Sequence, residues 1–316
     1  MSSQANWNSV TGIATLLFDG NLVAIAIAVL FTFGVPVLLH VLFFRAAASP
    51  PSSNFLLLGP SGSGKTAFTT LLEAKSSPAS KKIQLTHTSQ TSTLVSVSLP
   101  PSVPTGSNRY RSVNDPSLKE ATRNPIRYFV KDTPGHGKLR TSQGIGELQA
   151  MAISKENKNK IRGVIFMVDT AALVDEGNLR DTATYLHDVL LVLQKRELNK
   201  TSTKRSSEIP VLVAANKQDL FTALPPGSVR EKLEAEIDRI RKSKTKGLMD
   251  ASADSGLDAE EDILGNDDAQ GVFNFKALED ETGVKVEVVG GAVKSDSEEE
   301  FGSGVLRWEE WIGMCL

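Results

Sequence analysis

The chain has 316 residues, of which 40% are apolar, and a formal net charge of −2. This length and composition fit one large domain or two small ones with an ample hydrophobic core. The near-zero charge gives no general case for nucleic-acid binding, so direct contact with a nucleic acid is not expected. Cys315 is the single cysteine, which excludes a disulfide framework and favours a reducing compartment for the folded part.

The N-terminal part of the chain is predicted to anchor it in a membrane. Residues 1–20 are polar and loosely patterned, and residues 22–44 then run without a formal charge. A helix rising ~1.5 Å per residue over this run would cross a hydrocarbon core of ~30 Å. A cleaved signal peptide normally has a basic residue before a shorter apolar core, and a buried helix of a soluble protein normally has a polar face. We therefore predict one transmembrane helix over residues 21–44.

The basic residues around this helix predict its orientation. Residues 1–44 contain no lysine or arginine, whereas Arg45 follows directly and Lys65 and Lys75 come later. The positive-inside rule then places residues 1–20 outside the cytoplasm and the long C-terminal part inside it. Residues 45–53, rich in alanine, serine and proline, form a short linker to a folded domain over residues 54–316.

The folded domain is organised around a phosphate-binding motif. The motif G-x-x-x-x-G-K-[ST] is matched at every fixed position by Gly59-Pro60-Ser61-Gly62-Ser63-Gly64-Lys65-Thr66. An apolar run over residues 54–58 predicts a buried strand before it, and residues 67–74 can form a helix after it. Backbone N–H groups of such a loop surround a phosphate. Lys65 is predicted to reach the β- and γ-phosphates and the Thr66 hydroxyl to hold Mg²⁺.

Two further motifs also follow predicted strands. Asp132-Thr133-Pro134-Gly135 has the form D-x-x-G, in which the carboxylate holds a Mg²⁺-bound water and the glycine N–H senses a γ-phosphate. Asn216-Lys217-Gln218-Asp219 has the form N-K-x-D, and the Asp219 carboxylate can accept hydrogen bonds from the ring N–H and amine of guanine. Taken singly, each motif is also found in ordinary turns. Together, in this order and each at a strand end, the three motifs predict a guanine-nucleotide site.

The remaining pattern predicts an α/β fold. Apolar strands over residues 93–99, 126–130, 161–168, 209–215 and 284–289 alternate with helices over residues 179–194, 228–241 and 306–314. Such alternation is typical of a doubly wound, mostly parallel sheet that binds its ligand at the carboxyl ends of the strands. Residues 249–270 are acidic and poor in aromatic residues, and we predict a disordered insertion there.

With these motifs in place, the sequence resembles the β subunits of the signal recognition particle receptor, membrane-anchored members of the Ras superfamily close to the Arf and Sar branch. The Asp132–His136 segment resembles the family's D-x-P-G-H, and the Asn216–Asp219 segment its N-K-Q-D. Arf and Sar proteins have a similar domain but a peripheral N-terminus, so the apolar span separates them from this sequence.

The resemblance implies a small-GTPase domain over residues 54–316 that binds GTP and Mg²⁺. It implies a heterodimer with the receptor's α subunit at the endoplasmic reticulum membrane, with a lumenal N-terminus and a cytoplasmic GTPase domain. The implied role is GTP-dependent recruitment of that subunit for cotranslational protein targeting, with the ribosome or translocon as further candidate partners. The alternative is an Arf/Sar-like enzyme that acts in vesicle trafficking through GTP hydrolysis.

The sequence departs from the family pattern at two contacts with the nucleotide. The Mg²⁺-ligating threonine of the first switch segment is one of Thr86, Thr88 and Thr91, which lie in one polar run. We favour Thr91 because Gln90-Thr91-Ser92 lies nearest the next strand and resembles the family's Q-T-S. The usual S-A-K loop that contacts the base is replaced by residues 291–294. Ala292 would then contact the base through its backbone N–H.

A third departure bears on the reaction. His136 occupies the position where Ras-like enzymes carry a water-orienting glutamine, so it either positions the attacking water or is only a turn residue.

Two function classes follow. In one, GTP orders the segments around Thr91 and Asp132–His136, and the ordered surface binds a partner. In the other, the protein is chiefly an enzyme that cycles through hydrolysis. The missing glutamine favours the first class.

Overall fold

The computed structural model describes residues 26, 29–39, 54–76, 87–106, 122–153, 161–199, 208–255, 263–265, 271–294 and 302–316. The chain divides into two compact units, residues 1–51 and 52–316. In the first unit, Leu30–Gly34 form a π-helical stretch within a short helix, and the side chains of Leu30 and Phe33 are 70% and 67% exposed. Across the described residues, no helix is both long and apolar enough to cross a membrane. The predicted span over residues 21–44 lies partly outside them.

The second unit is built on one six-stranded sheet. Its strands are β1 (Asn54–Leu58), β2 (Thr93–Ser98), β3 (Arg127–Asp132), β4 (Ile161–Asp169), β5 (Val211–Asn216) and β6 (Val286–Gly290). They lie in the order β2-β3-β1-β4-β5-β6. The β2–β3 pair is antiparallel, and the other four pairs are parallel. The prediction of a mostly parallel α/β sheet is confirmed.

Helices connect these strands. They are α1 (Lys65–Ser76), α2 (Gly146–Ile153), α3 (Glu176–Leu198), α4 (Pro226–Ser255), α5 (Phe275–Thr282) and α6 (Leu306–Cys315). Between β3 and α2 the chain forms a helical turn, Gly137–Leu139, and a π-helical stretch, Arg140–Ile145. The Asp175 carboxylate caps α3 by accepting a hydrogen bond from the Asn178 N–H at 2.9 Å, as expected for an aspartate at this position.

Hydrophobic cores lie on both faces of the sheet because the side chains of each strand alternate between the two faces. In β1, Phe55 and Leu57 pack with residues of α1 and α6, including Trp308. Leu56 and Leu58 pack on the opposite face with residues of α3, α4 and α5. All four β1 side chains are completely buried, as the continuous apolar run predicts for a central parallel strand.

The segment after β5 differs from the sequence prediction. Helix α4 continues to Ser255, so residues 249–255 of the predicted disordered insertion are helical. Leu264, further along the insertion, is completely buried. The Gln194 side chain holds this turn, since its amide donates to the Ile263 carbonyl oxygen at 3.0 Å and its oxygen accepts from the Gly265 N–H at 2.8 Å. Residues 256–262 and 266–270 of the insertion lie outside the described residues.

The sheet brings the predicted motifs to one edge. Asp132 is the last residue of β3, and Asn216 is the last residue of β5. Asp169 ends β4 and pairs in register with Asn216, while Asp132 pairs with Leu57 near the end of β1. Because these strands run in the same direction, their carboxyl ends form one edge beside the phosphate loop.

Candidate nucleotide-binding site

The phosphate loop, residues 59–66, joins β1 to α1. A side chain at Gly59 would place its Cβ 2.2 Å from the Met167 carbonyl oxygen, and one at Gly64 would place its Cβ 2.3 Å from Asn216 Nδ2. Both glycines also have positive φ angles, of 138° and 98°, which residues with a side chain rarely adopt. The motif therefore requires glycine at these two positions for space as well as for backbone conformation.

A cavity of about 200 Å³ opens in front of this loop. It is lined by loop and α1 residues together with residues from the two segments that flank β2 and β3, namely Ser61, Gly62, Gly64, Lys65, Thr66, Ala67, His87, Thr88, Ser89, Thr133 and Gly135. A larger cavity of about 820 Å³ lies between β6 and α6 and contains none of the predicted site residues. Three sequence motifs converge on the smaller cavity or its margin, so it is the candidate site.

Lys65 lies at the floor of the cavity and is 6% exposed. Its ammonium group donates hydrogen bonds to the carbonyl oxygens of Gly59 and Pro60, both at 2.8 Å. Burial lowers the pKa of Lys65 to about 8, while the Asp132 carboxylate opposes this shift. The loop thus holds a buried cation beside its own backbone N–H groups, an arrangement that suits a phosphate anion.

Oxygen atoms gather next to this cation. The Thr66 hydroxyl donates to Asp132 Oδ2 at 2.8 Å, and the Ser89 hydroxyl lies 2.8 Å from the Thr66 hydroxyl. Asp132 is 1% exposed, and its Oδ1 atom has no hydrogen-bond partner among the described residues. Burial raises the pKa of the Asp132 carboxyl, against the opposing effects of the Thr66 hydrogen bond and the Lys65 charge.

This oxygen cluster fits the predicted Mg²⁺. A hard cation prefers oxygen ligands and usually keeps several waters, so two hydroxyls and one carboxylate acting through water suffice beside a phosphate. Within the described part of the chain, no three His, Cys, Asp or Glu side chains come together as a metal site. The unpaired Asp132 Oδ1 is the observation that supports the fit, because a buried carboxylate oxygen without a donor is costly unless a water or ion satisfies it.

The structure places the two predicted switch residues outside the cavity lining. Thr91 is exposed, and Ser89, two residues earlier, is the hydroxyl that approaches Thr66. His136 is exposed as well and precedes the helical turn that begins at Gly137. That Thr91 ligates Mg²⁺ stays a prediction, and so does a role of His136 in positioning the attacking water. Nothing in the polar run distinguished Ser89 from the neighbouring threonines before its position was known.

Gly135 lies against the phosphate loop, as its predicted role requires. A Cβ on Gly135 would be 2.4 Å from Lys65 Nζ and 2.7 Å from the Pro60 carbonyl group. The preceding Thr133 hydroxyl donates to the Leu57 carbonyl oxygen at 2.7 Å, which fixes this segment to the end of β1. The Gly135 backbone therefore lies beside the phosphate loop and the Lys65 ammonium group.

The N-K-x-D segment occupies the other side of the phosphate loop. Asn216 is 2% exposed; its Nδ2 donates to the Ser63 carbonyl oxygen at 2.8 Å, and its Oδ1 accepts from the Val293 N–H at 3.1 Å. Lys217 has a φ of 66°, and its Nζ lies 2.5 Å from the Asp169 carboxylate. Asp219 is exposed at the end of the segment. Asn216 thus ties three nucleotide-facing segments together, and Asp219 remains accessible to a base.

The loop after β6 packs against Trp308 of α6 and against the short helical turn, Ser303–Val305, that precedes α6. The Ala292 N–H donates to the Gly304 carbonyl oxygen at 3.1 Å, and a Cβ on Gly291 would be 2.5 Å from that same oxygen. The Trp308 indole N–H donates to the Val289 carbonyl oxygen at 3.0 Å. A contact between the Ala292 N–H and the base would have to replace its hydrogen bond to Gly304, and that contact stays a prediction. Asp169 and Gly304 were not predicted as part of the site, although Asp169 was recognisable as the end of a strand; Val293 lies in the predicted base loop, but its hydrogen bond to Asn216 was not predicted.

Comparison with known proteins agrees with this geometry. A family model described as "Signal recognition particle receptor beta subunit" matches residues 51–282. The chain belongs to this family. The resemblance stated from the motifs is therefore confirmed over most of the chain.

Curated and solved relatives belong to the same family. The "Signal recognition particle receptor subunit beta" of Saccharomyces cerevisiae is 28% identical over 263 residues, 82% of each chain. Two solved structures from Chaetomium thermophilum cover 82% of this chain. The "SRb-GTP/SRX complex" is 35% identical with a TM-score of 0.60 over 98% of that chain. The "SRb-GDP-Mg" structure is 34% identical with a TM-score of 0.54 over 96% of that chain.

Proposed function

We propose that this protein binds GTP with Mg²⁺ and, in its GTP form, recruits the α subunit of the signal recognition particle receptor for cotranslational targeting to the endoplasmic reticulum. The observation that carries the proposal is that Lys65, Thr66 and Gly135 line one cavity, where Thr66 is hydrogen-bonded to Asp132 and the phosphate loop to Asn216. Relatives whose names record GTP with SRX, and GDP with Mg, support it.

Different residues of the proposed site would bind the phosphates, the Mg²⁺ ion and the guanine base. The backbone of residues 59–64 and the Lys65 ammonium would hold the β- and γ-phosphates. Thr66 and a hydroxyl of the 87–92 segment would ligate Mg²⁺, with Asp132 acting through a bound water. Asp219 would accept two hydrogen bonds from guanine, which excludes adenine because adenine has no donor at the ring position.

The nucleotide-facing segments also border a surface suited to a protein partner. Leu94 on β2 is 60% exposed and Phe129 on β3 is 40% exposed. The pairing of Leu94 with Lys131, and of Ser96 with Phe129, places both apolar side chains on the same face of the β2–β3 pair. Gln143, in the stretch that follows β3, is bonded to the segment before β2. Its side chain accepts from the Ser92 N–H at 3.0 Å and donates to the Gln90 carbonyl oxygen at 3.2 Å. A nucleotide that moves either segment would therefore change the margins of this surface.

The experiment that tests the proposal uses the full-length chain in mild detergent. It is loaded with GDP or with a slowly hydrolysed GTP analogue, and its affinity for the receptor's α subunit is measured by titration calorimetry. We expect the GTP form to bind more tightly, with binding reduced in Leu94→Ser. Equal affinity for the two forms would refute the switch mechanism. Rapid hydrolysis by the isolated protein, at the rate of a GTPase with its activator bound, would instead favour the enzyme class.

We also propose that residues 21–44 cross the endoplasmic reticulum membrane once, with residues 1–20 lumenal and residues 54–316 cytoplasmic. The uncharged run and the basic residues that follow it support this topology. In sealed vesicles with the cytoplasmic side out, added protease should digest the domain after Arg45. A protected domain would reverse the orientation, and release by carbonate extraction would contradict the span. Contact with the ribosome or translocon stays a prediction.

A further inference from the structure

Arg140 is a partly buried cation whose side chain contacts Gly135, in the candidate site, and two residues of α3. Its Nε donates to the Gly135 carbonyl oxygen at 2.7 Å. Its two terminal nitrogens donate to the two carboxylate oxygens of Asp181, on α3, at 2.8 and 2.6 Å. The guanidinium also lies over the ring of Tyr185, 5.3 Å from the ring centroid.

These contacts use the fork geometry that only arginine offers. A bidentate pair with a carboxylate fixes the plane of the guanidinium, and stacking on an aromatic ring fixes it further. The third donor is then directed at one backbone oxygen. A lysine at this position has a single nitrogen and cannot make the three contacts together. Arg140 therefore connects the Gly135 peptide to a rigid helix of the core.

Gly135 is the residue whose position matters for the nucleotide. Its backbone already lies within contact of Lys65 and Pro60, so that a single added Cβ would clash with both. As the glycine of the D-x-x-G motif, Gly135 is predicted to donate its N–H to the γ-phosphate, which GTP has and GDP lacks. A group that holds the Gly135 carbonyl in place also orients the following peptides and the N–H on the other side of the residue.

We infer that Arg140 is a positioning residue for the γ-phosphate: anchored by Asp181, it holds Gly135 where its N–H can contact GTP. The inference rests on the proposed function, because it assigns a role within the same site. A surface ion pair with no such role would contribute little, and Asp181 is 56% exposed in its side chain. The bond to the Gly135 carbonyl oxygen is what distinguishes Arg140 from such a pair.

The test compares dissociation rates of a fluorescent GDP and a fluorescent, slowly hydrolysed GTP analogue from the full-length chain. Arg140→Ala should speed release of the GTP analogue about tenfold, in the range of ordinary coupling between two contacts, while GDP release stays within about twofold of wild type. Arg140→Lys and Asp181→Asn should give smaller changes of the same kind. Arg230→Ala is the matched control, since it removes an arginine whose carboxylate partner, Glu234, is on the same helix, α4; it should change neither rate.

The outcomes separate a positioning role from a structural one. If the Arg140 variants speed the release of both nucleotides equally, Arg140 only stabilises the fold and the inference is overturned. Unchanged GTP release in Arg140→Ala overturns it as well. Should Arg140→Ala fail to fold, Arg140→Lys and Asp181→Asn decide the question. The quantity compared is again the increase in GTP-analogue release relative to the increase in GDP release. Failure of the proposed function looks different, because wild-type protein would then not retain GTP or would bind the α subunit equally with GDP.

Discussion

Asn216 offers the sharpest test of how the site is held together. Its buried amide bridges the Ser63 carbonyl oxygen in the phosphate loop and the Val293 N–H in the loop after β6, at 2.8 and 3.1 Å. Asn216→Ala removes both hydrogen bonds and leaves two buried backbone groups without a partner. Each such loss costs about 1–3 kcal/mol, and the small cavity adds to it. The two losses together should lower the free energy of unfolding by about 2–6 kcal/mol.

Urea unfolding of the nucleotide-free protein, followed by far-UV circular dichroism, measures this loss directly. The control is Asn199→Ala, because Asn199 is exposed at the end of α3 and its substitution should stay within about 0.5 kcal/mol of wild type. Asn216→Ala should also weaken GTP and GDP binding together, since it loosens the phosphate loop and the base loop rather than the γ-phosphate contact. A variant as stable as wild type, with unchanged nucleotide affinity, would refute the view that Asn216 links the two loops.

Three further predictions follow from other parts of the site and core. Asp219→Asn should shift preference from guanine toward xanthine nucleotides, which carry a carbonyl where guanine has its amine; unchanged GTP preference in a competition assay would contradict the base assignment. Because burial lowers the pKa of Lys65 to about 8, the free protein loses this cation as pH rises, so GTP affinity should fall between pH 8 and 9 and Lys65→Ala should show no such fall. Lys75→Met leaves the carboxylate of Glu309, which is 1% exposed, without its partner at 2.6 Å, and thermal unfolding should reveal a loss of about 3–5 kcal/mol. The matched variant Lys285→Met removes a more exposed pair and should cost less than about 1 kcal/mol.

The sequence alone predicted which strand ends lie beside the phosphate loop; the roles of the residues there stay predictions. Residues 59–66, Asp132 and Asn216 were assigned because each follows an apolar strand, and parallel strands end at one edge of a sheet. The structure brings these residues together as that argument requires. Each motif is recognisable locally, since a glycine-rich loop, a strand and a helix N-terminus are features of neighbouring residues, and parallel pairing then places the strand ends side by side.

Other features depended on contacts between distant parts of the chain. The polar run before β2 has no periodicity, so only the packed structure shows that Ser89 rather than Thr91 approaches Thr66. The partners Arg140 and Asp181 are 41 positions apart, and no local pattern pairs one surface charge with another. Leu264 is buried although its segment is acidic. Periodicity and turn chemistry act over a few residues. The Ser89 contact, the Arg140–Asp181 pair and the burial of Leu264 depend instead on which surfaces meet once the sheet has formed, so only the tertiary structure determines them.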